Sequence, residues 1–367
     1  MHKELTSVDI KILRAMWEIG PRNLSRVAQT VGIHPRTLET RIKHMKSDSN
    51  FFLRMHTSVY HTNIGLRKNV VFLEANPGME QLLFDCLLIN PFWLYVCRSY
   101  GIGEGCTAVY AVPTEHCREF EEYINELKSL EVARNVRIYW STCFQGGRIT
   151  LNWFDNNLGK WVFSWDDWIK EVQAQKTDLP YTLVESTSYV NRADEIDIKM
   201  LEKLEEDATR SLTEVARSLG ISRQLARFHY KEHLLGKNLI EGYEVYVNRY
   251  DSSPSVMVYF AITFHNYETF AKFARSLLDK FFVLTMGKNL GENCLIVEIF
   301  LPTEEFRRFI EVLSTMVRMK LVKGYEYAIQ DLGIRHRQTI SPPLFNGDEW
   351  VYDHNDHIKT LRHKVLN

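Results

Sequence analysis

"VDIKILRAMWEIGPRNLSRVAQTVGI" (Val8–Ile33) and "IDIKMLEKLEEDATRSLTEVARSLGI" (Ile196–Ile221) lie over one another without a gap at an offset of 188. Asp9, Ile10, Lys11, Leu13, Leu24, Val27, Ala28, Gly32 and Ile33 meet Asp197, Ile198, Lys199, Leu201, Leu212, Val215, Ala216, Gly220 and Ile221. The register continues through Asn50 over Asn238, Val59 over Val247, Gly103-Glu104 over Gly291-Glu292 and Cys106 over Cys294. After a one-residue slip, Pro113-Thr114-Glu115 lies over Pro302-Thr303-Glu304, and "KWVFSWDDWIK" (Lys160–Lys170) over "EWVYDHNDHIK" (Glu349–Lys359). Chance matches do not hold one register over this length. The chain therefore reads as two tandem copies of one unit.

Each copy opens with helices. Ile10, Leu13 and Trp17 mark one helix face, Asn23 caps a second helix, and Gly32 makes a tight turn. His34-Pro35 opens a third helix with proline at its favoured first position. In the second copy Ser211 and Glu214 form a capping box, Gly220 is the turn and Ser222 caps the third helix. Helix, helix, glycine turn, helix is the grammar of a helix-turn-helix. "YEVYVN" (Tyr243–Asn248) alternates like the strand of a wing. Six elements follow in the order β-α-β-β-α-β, the ferredoxin-like split unit, whose helix-free sheet face needs a partner. A Trp-bearing tail helix closes each copy. The fold class is α+β. The expected domains are a winged helix-turn-helix at 1–66, a ferredoxin-like domain at 67–150, a tail helix and linker at 151–193, a second winged helix-turn-helix at 194–252, a second ferredoxin-like domain at 253–335 and a tail at 336–367.

The 367 residues carry a formal net charge of −1, so no global field draws the molecule to a polyanion, and nucleic-acid affinity must come from local patches. None of the six cysteines forms a CxxC pair, which fits buried thiols of a reducing compartment. The most apolar stretch, "LLFDCLLINPFWLYVC" (Leu82–Cys97), holds Asp85, Asn90 and Pro91 and falls short of the ~20 apolar residues of a membrane span. A cytoplasmic protein without a membrane partner is expected.

The charge that is present is local. Between Arg22 and Lys46 six residues are basic (Arg22, Arg26, Arg36, Arg41, Lys43, Lys46) and only Glu39 is acidic. A helix that reads DNA places base-reaching side chains near its N-terminus and cations near phosphates. Arg36, Thr37, Thr40, Arg41 and Lys43 offer this in the first copy, and Arg223, Gln224, Arg227 and Lys231 in the second. Because these sets differ, one chain is expected to read an asymmetric site. Gly103, Glu104, Gly291 and Glu292 sit in glycine-bearing turns between the middle strands and are the candidate contacts for a small-molecule effector. His229 and His233 are i, i+4 on a helix, a usable ligand spacing, but no HExxH or cysteine pair completes a site and no metal or other cofactor is assigned.

Residues Glu195–Asn248 resemble the winged DNA-binding domain of the Lrp/AsnC family of transcriptional regulators nearly end to end. "GIHPRTLETRIKHM" resembles that family's third helix at Thr37, Leu38, Arg41 and Ile42. The resemblance implies a ferredoxin-like effector domain, double-stranded DNA as partner, dimerisation through the ferredoxin-like domains and modulation by a metabolite. It points to a sequence-specific regulator that is not an enzyme. The tandem arrangement and the "SDSNFF" stretch (Ser47–Phe52) depart from the family. The sirohaem decarboxylases of alternative haem synthesis are a second class with a similar architecture and are the enzyme alternative. Their reaction calls for basic and histidine side chains on substrate carboxylates. His116 and His265 are the histidines within the expected ferredoxin-like domains, and they do not coincide in the repeat. A protein-binding scaffold is the third possibility.

Overall fold

The computed structural model describes residues 5–48, 52–101, 103–142, 144–250 and 254–366. Helices α1 (Ser7–Ile19), α2 (Leu24–Val31) and α3 (Pro35–Ser47) lead into strand β1 (Arg54–Val59). There follow β2 (Leu66–Ala75), α4 (Glu80–Leu87), β3 (Trp93–Gly101), β4 (Gly105–Pro113), α5 (Cys117–Ser129) and β5 (Ala133–Ser141). A short β6 (Gln145–Gly146), the hairpin β7 (Phe154–Asp155) and β8 (Lys160–Trp161), and α6 (Trp165–Ala174) end the first half. The second half begins with α7 (Glu195–Glu206), α8 (Leu212–Leu219) and α9 (Arg223–Phe228), which runs on into a π-helical turn over His229–Leu235. Then come β9 (Ile240–Tyr246), β10 (Ser255–Thr263), α10 (Tyr267–Leu277), β11 (Val283–Lys288), β12 (Cys294–Pro302), α11 (Thr303–Arg318) and β13 (Gly324–Arg337). The hairpin β14 (Phe345–Asn346) and β15 (Glu349–Trp350) and helix α12 (His354–Leu366) close the described chain.

The local sequence explains the helical units. Reciprocal capping boxes start α1 (Thr6 with Asp9), α7 (Asp194 with Asp197) and α8 (Ser211 with Glu214). Gly32 and Gly220 end α2 and α8 in the left-handed region, at φ 75° and 66°, and turn the chain into the third helix. The wings depart from expectation. β1 and β9 do not form separate wings but pair with each other, antiparallel, with His56 opposite Glu244. Each lone strand thereby finds partners for its backbone groups in the other half.

One nine-stranded antiparallel sheet runs in the order β5-β2-β4-β3-β13-β10-β12-β11-β6. It contains two ferredoxin-like sheets, β5-β2-β4-β3 and β13-β10-β12-β11, joined edge to edge by β3 and β13. Its far ends meet as well: β6 pairs with β11, and Ser141 bridges Asn289. The helix-free faces are thereby turned toward each other. Val70, Phe72 and Val109 of the first half pack with Tyr259, Ala261, Ile296 and Ala328 of the second. The sheet pairing through which a dimer was expected is already made within the chain.

The halves also exchange their tails. In α6, Trp168 is fully buried on the second half, its Nε1 donating to Ser276 Oγ at 2.9 Å and its ring stacked on Phe309. In return α12 lies on α4 and α5, burying Leu361 and pairing Arg362 with Glu126 (2.7 Å) and Lys364 with Asp85 (3.2 Å). The five described cysteines carry free thiols, four of them buried, and Cys143 lies outside the described residues. No helix is long and apolar enough to cross a membrane among the described residues.

Candidate active site

A cavity of about 450 Å³ lies between the helix-free sheet faces and the β1–β9 pair, within the size range of small-molecule sites. Its cations come from five places: Arg54 on β1, Lys68 on β2, Arg249 after β9, and Arg335 and Arg337 on β13. His56 of β1 and His61, two residues past the end of β1, join them. Tyr95, Tyr246, Tyr259, Phe144 and Phe300 supply aromatic walls. Three carboxyl groups, Glu205, Glu244 and Glu298, also line it.

The two histidines are held differently. His56 Nδ1 lies 2.6 Å from the Glu205 carbonyl oxygen. That oxygen only accepts, so Nδ1 carries the proton and Nε2 is left for a ligand. Burial, then the charge of Arg337, lower the His56 pKa. His61 is buried, and neither ring nitrogen has a partner at hydrogen-bond geometry. Burial, then the charge of Lys68, hold its pKa well below the usual histidine value, against a weaker pull from the Val59 backbone. An unpartnered buried imidazole beside a polar cavity is an unspent hydrogen-bonding group.

The cations are partly prepaired. Arg337 lies 3.5 Å from Glu244 Oε2 and 5.5 Å from the Tyr246 ring centroid, and the Tyr246 hydroxyl donates to the same carboxylate at 2.9 Å. Its side chain stays half-exposed, facing the open cavity. Lys68 Nζ sits 5.1 Å over the Phe144 ring. Burial raises the Glu205 carboxyl to about 7 and raises Glu298 as well. Glu298 accepts from Gln330 Nε2 at 2.9 Å, and Gln330 in turn accepts from the Tyr95 hydroxyl. Of the five cations, Arg249 is buried and donates to the Phe281 and Val283 carbonyls, and the other four stand in one lining with three carboxyl groups, two of which burial biases toward the neutral acid. The cavity suits an anionic, flat or aromatic ligand.

The residues singled out from the sequence lie elsewhere. Arg36, Thr37, Thr40 and Lys43 are exposed on α3, as are Arg223, Gln224 and Arg227 on α9 and Lys231 beyond it. Arg41 turns inward to Asp9 Oδ1 at 2.8 Å. Two further residues of the basic count face the second half: Arg22 donates to the Arg210 carbonyl at 3.1 Å, and Lys46 to Thr209 Oγ1 at 2.7 Å. Glu104 pairs with Arg98, Gly103 lies beside Arg134 and Glu74, the Gly291 amide donates to Glu185 at 3.0 Å, and Glu292 accepts from Asn289 at 3.0 Å. None of these four lines the cavity. His116 is paired with Glu119 and stacked on Tyr352, and His265 is exposed. His56 and His61 fall within the expected winged helix-turn-helix at 1–66, outside the expected ferredoxin-like domains.

Residues 194–227 match the AsnC-type helix-turn-helix domain. No curated protein sequence matches the chain. Among solved structures, the sirohaem decarboxylase NirDL is similar over 97% of this chain and 97% of its own, at 12% identity and a TM-score of 0.55. The same enzyme in complex with an iron-uroporphyrin III analogue is similar over 98% and 99%, at 11% identity and a TM-score of 0.56. The transcriptional regulator NMB0573 of Neisseria meningitidis, in complex with L-Met, covers 37% of this chain and 88% of its own, at 16% identity and a TM-score of 0.30. The expectation of a sequence-specific regulator without enzymatic activity is corrected by the first two matches. Over nearly its whole length the chain shares its fold with an enzyme. Two histidines outside the expected ferredoxin-like domains, His56 and His61, reach the cavity from the segment that follows the first three helices.

Proposed function

We propose that the protein is a decarboxylase acting on a sirohaem-class, carboxylate-rich tetrapyrrole in the cavity between its two sheets. The observation that carries this is the lining: five cations and two histidines around aromatic walls, in one chamber built by both halves. Residues 188 apart meet there as unlike pairs, His56 with Glu244 and His61 with Arg249. A duplicated or fused pair of subunits with one asymmetric chamber accounts for both the repeat and these differences.

Arg54, Arg335 and Arg337 are placed to hold substrate carboxylates, and Tyr95, Tyr246 and Phe144 to face the ring system. At a reacting acetate side chain the bond to the carboxyl carbon breaks and carbon dioxide leaves. The electron pair stays on the methylene carbon, and one proton completes a methyl group. His56 is the proposed carrier of that proton through Nε2. A carboxylate bound at Arg337 offsets the charge that depresses His56, so substrate entry draws the proton onto the ring. His61, neutral, is the second candidate contact.

Titration of the full chain with an iron uroporphyrin, read by its Soret band, tests this. Arg335→Ala and Arg337→Ala are expected to weaken binding by roughly tenfold each, about 1.4 kcal/mol. His56→Ala is expected to bind but not to turn over. Absence of any Soret shift at micromolar protein would overturn the reading.

Contact with duplex DNA is a separate property that the second helix-turn-helix supports. Its matched segment carries exposed Arg223, Gln224 and Arg227. Duplex affinity that falls steeply with salt, and falls further in Arg223→Ala, is the expected behaviour. Affinity unchanged in that variant would remove it.

A further inference from the structure

Asp194, Asp197, His229 and His233 converge at the junction of α7 with the π-helical turn after α9, and none of them lines the cavity. The metal-ligating atoms of all four lie within 4.8 Å of one another. His229 Nδ1 is 2.8 Å from Asp197 Oδ1, and His233 Nδ1 is 3.0 Å from Asp197 Oδ2. Asp194 lies 3.7 Å from His229 and 3.4 Å from His233. With metal–ligand bonds of ~2.0–2.2 Å, the edge of a tetrahedral site is ~3.3 Å. Through a single Asp197 oxygen, Oδ1, the two imidazole Nδ1 atoms lie at 2.8 and 3.2 Å, close to that length.

The first half supplies the contrast. Residues 188 earlier are Thr6, Asp9, Arg41 and Met45. There the carboxylate is kept and its partner is a fixed cation, Arg41 on Asp9 at 2.8 Å. In the second half the carboxylate is again kept, and each of the other three positions changes to a metal-ligating type. Asp197 is fully buried there; Oδ2 accepts from the Asp194 amide at 3.1 Å in the capping box, and the rest of its charge faces the two imidazoles. The Lys237 ammonium stands off at 3.8 Å and donates to the Arg192 carbonyl at 3.0 Å instead. The π-helical turn brings both imidazoles onto one carboxylate, a local irregularity common at functional sites. Asp194 is half-exposed and leaves an entry path from solvent.

We propose that Asp194, Asp197, His229 and His233 bind a divalent transition-metal ion of the zinc class. The ion ties the first helix of the second helix-turn-helix to its third, as the Arg41–Asp9 pair does in the first. Two nitrogen and two oxygen ligands in tetrahedral array suit Zn²⁺ and its spectroscopic substitute Co²⁺.

The test is titration of chelator-treated full-length protein with Co²⁺, followed in the visible, with Zn²⁺ competition and thermal melting. The control is His229→Arg/His233→Met, which rebuilds the first half's ion pair and keeps the fold. One Co²⁺ per chain with intense tetrahedral absorption, displaced by Zn²⁺, is expected for the natural chain. Its midpoint is expected to rise by roughly 5 °C at a hundredfold excess of Zn²⁺ over its Kd. Both effects should vanish in the control, whose midpoint in chelator matches that of the natural chain. Equal binding by both proteins, or no tetrahedral absorption in the natural chain, overturns the proposal. The readout needs no substrate, so it stands or falls separately from the proposed activity.

Discussion

At the scale of single residues, the same side chain means different things depending on what it faces. Arg41 has the spacing of a base-reading residue, yet it is bound to Asp9, whose side chain is 10% exposed. Arg41→Ala should therefore destabilise the fold by about 1–3 kcal/mol by leaving Asp9 Oδ1 without its cation, while Oδ2 keeps its bonds to Thr6. Arg36→Ala, on the exposed face, should change stability by less than about 0.5 kcal/mol. Urea unfolding of both variants makes the comparison, and equal losses would show that the Asp9 contact carries no weight. A second prediction concerns pH. Burial raises the Glu241 carboxyl from its ordinary 4.5 to about 8, against the pull of Lys68 and the Ser58 hydroxyl. The folded state thus holds a proton that the unfolded chain releases near 4.5. The associated stability is full below about pH 4.5 and is lost as pH rises toward 8. Glu241→Gln should flatten that decline, by on the order of 2 kcal/mol at pH 8. Melting midpoints measured from pH 5 to 8 that decline as steeply in the variant would contradict it.

At the scale of elements, the sequence carried most of the fold and little of the site. Caps at Thr6, Asp194 and Ser211, glycine turns at 32 and 220, and the alternation of strands all lie within short windows, where propensity and periodicity act. The pairing of β1 with β9 does not. A strand of the pattern in "YEVYVN" shows that it needs a partner, not which one. The cavity was hidden for the same reason. Its lining runs from Phe52 to Gln338 and is assembled only when the wings pair and the two sheets turn their bare faces together. The local signals were the cation-rich junctions Arg54-Met55-His56 and Arg335-His336-Arg337. The repeat gives no cue to the first of them, since Arg54 and His56 lie over Gly242 and Glu244. A single chamber near the axis relating the halves has that signature, since equivalent positions face the same ligand from two sides and are free to differ. The tail exchange makes a prediction at this scale. Trp168→Ala should cost about 3–5 kcal/mol, because it empties the contact of α6 with Phe309 and removes the donor to Ser276 Oγ, which keeps only its own bond to the Phe273 carbonyl. A loss below 1 kcal/mol in chemical unfolding would show that the tail is an ornament of the second half.

At the scale of the whole molecule, the halves are joined in three places. The sheets share β3 and β13, the wings share β1 and β9, and α6 and α12 are exchanged. Separate halves, cut in the 175–193 linker, should not fold alone, whereas coexpressed halves should assemble into one particle with the melting behaviour of the intact chain. Stable monomeric halves would contradict this. The same architecture makes one chamber from two units, and the proposed reaction requires cations from both halves around one substrate. The most direct test is to incubate the intact chain with sirohaem without oxygen and to follow the tetrapyrrole by mass spectrometry. The natural chain is predicted to convert it by stepwise loss of carbon dioxide, and His56→Ala to bind it unchanged. Binding without any carbon dioxide loss by the natural chain would contradict the central claim.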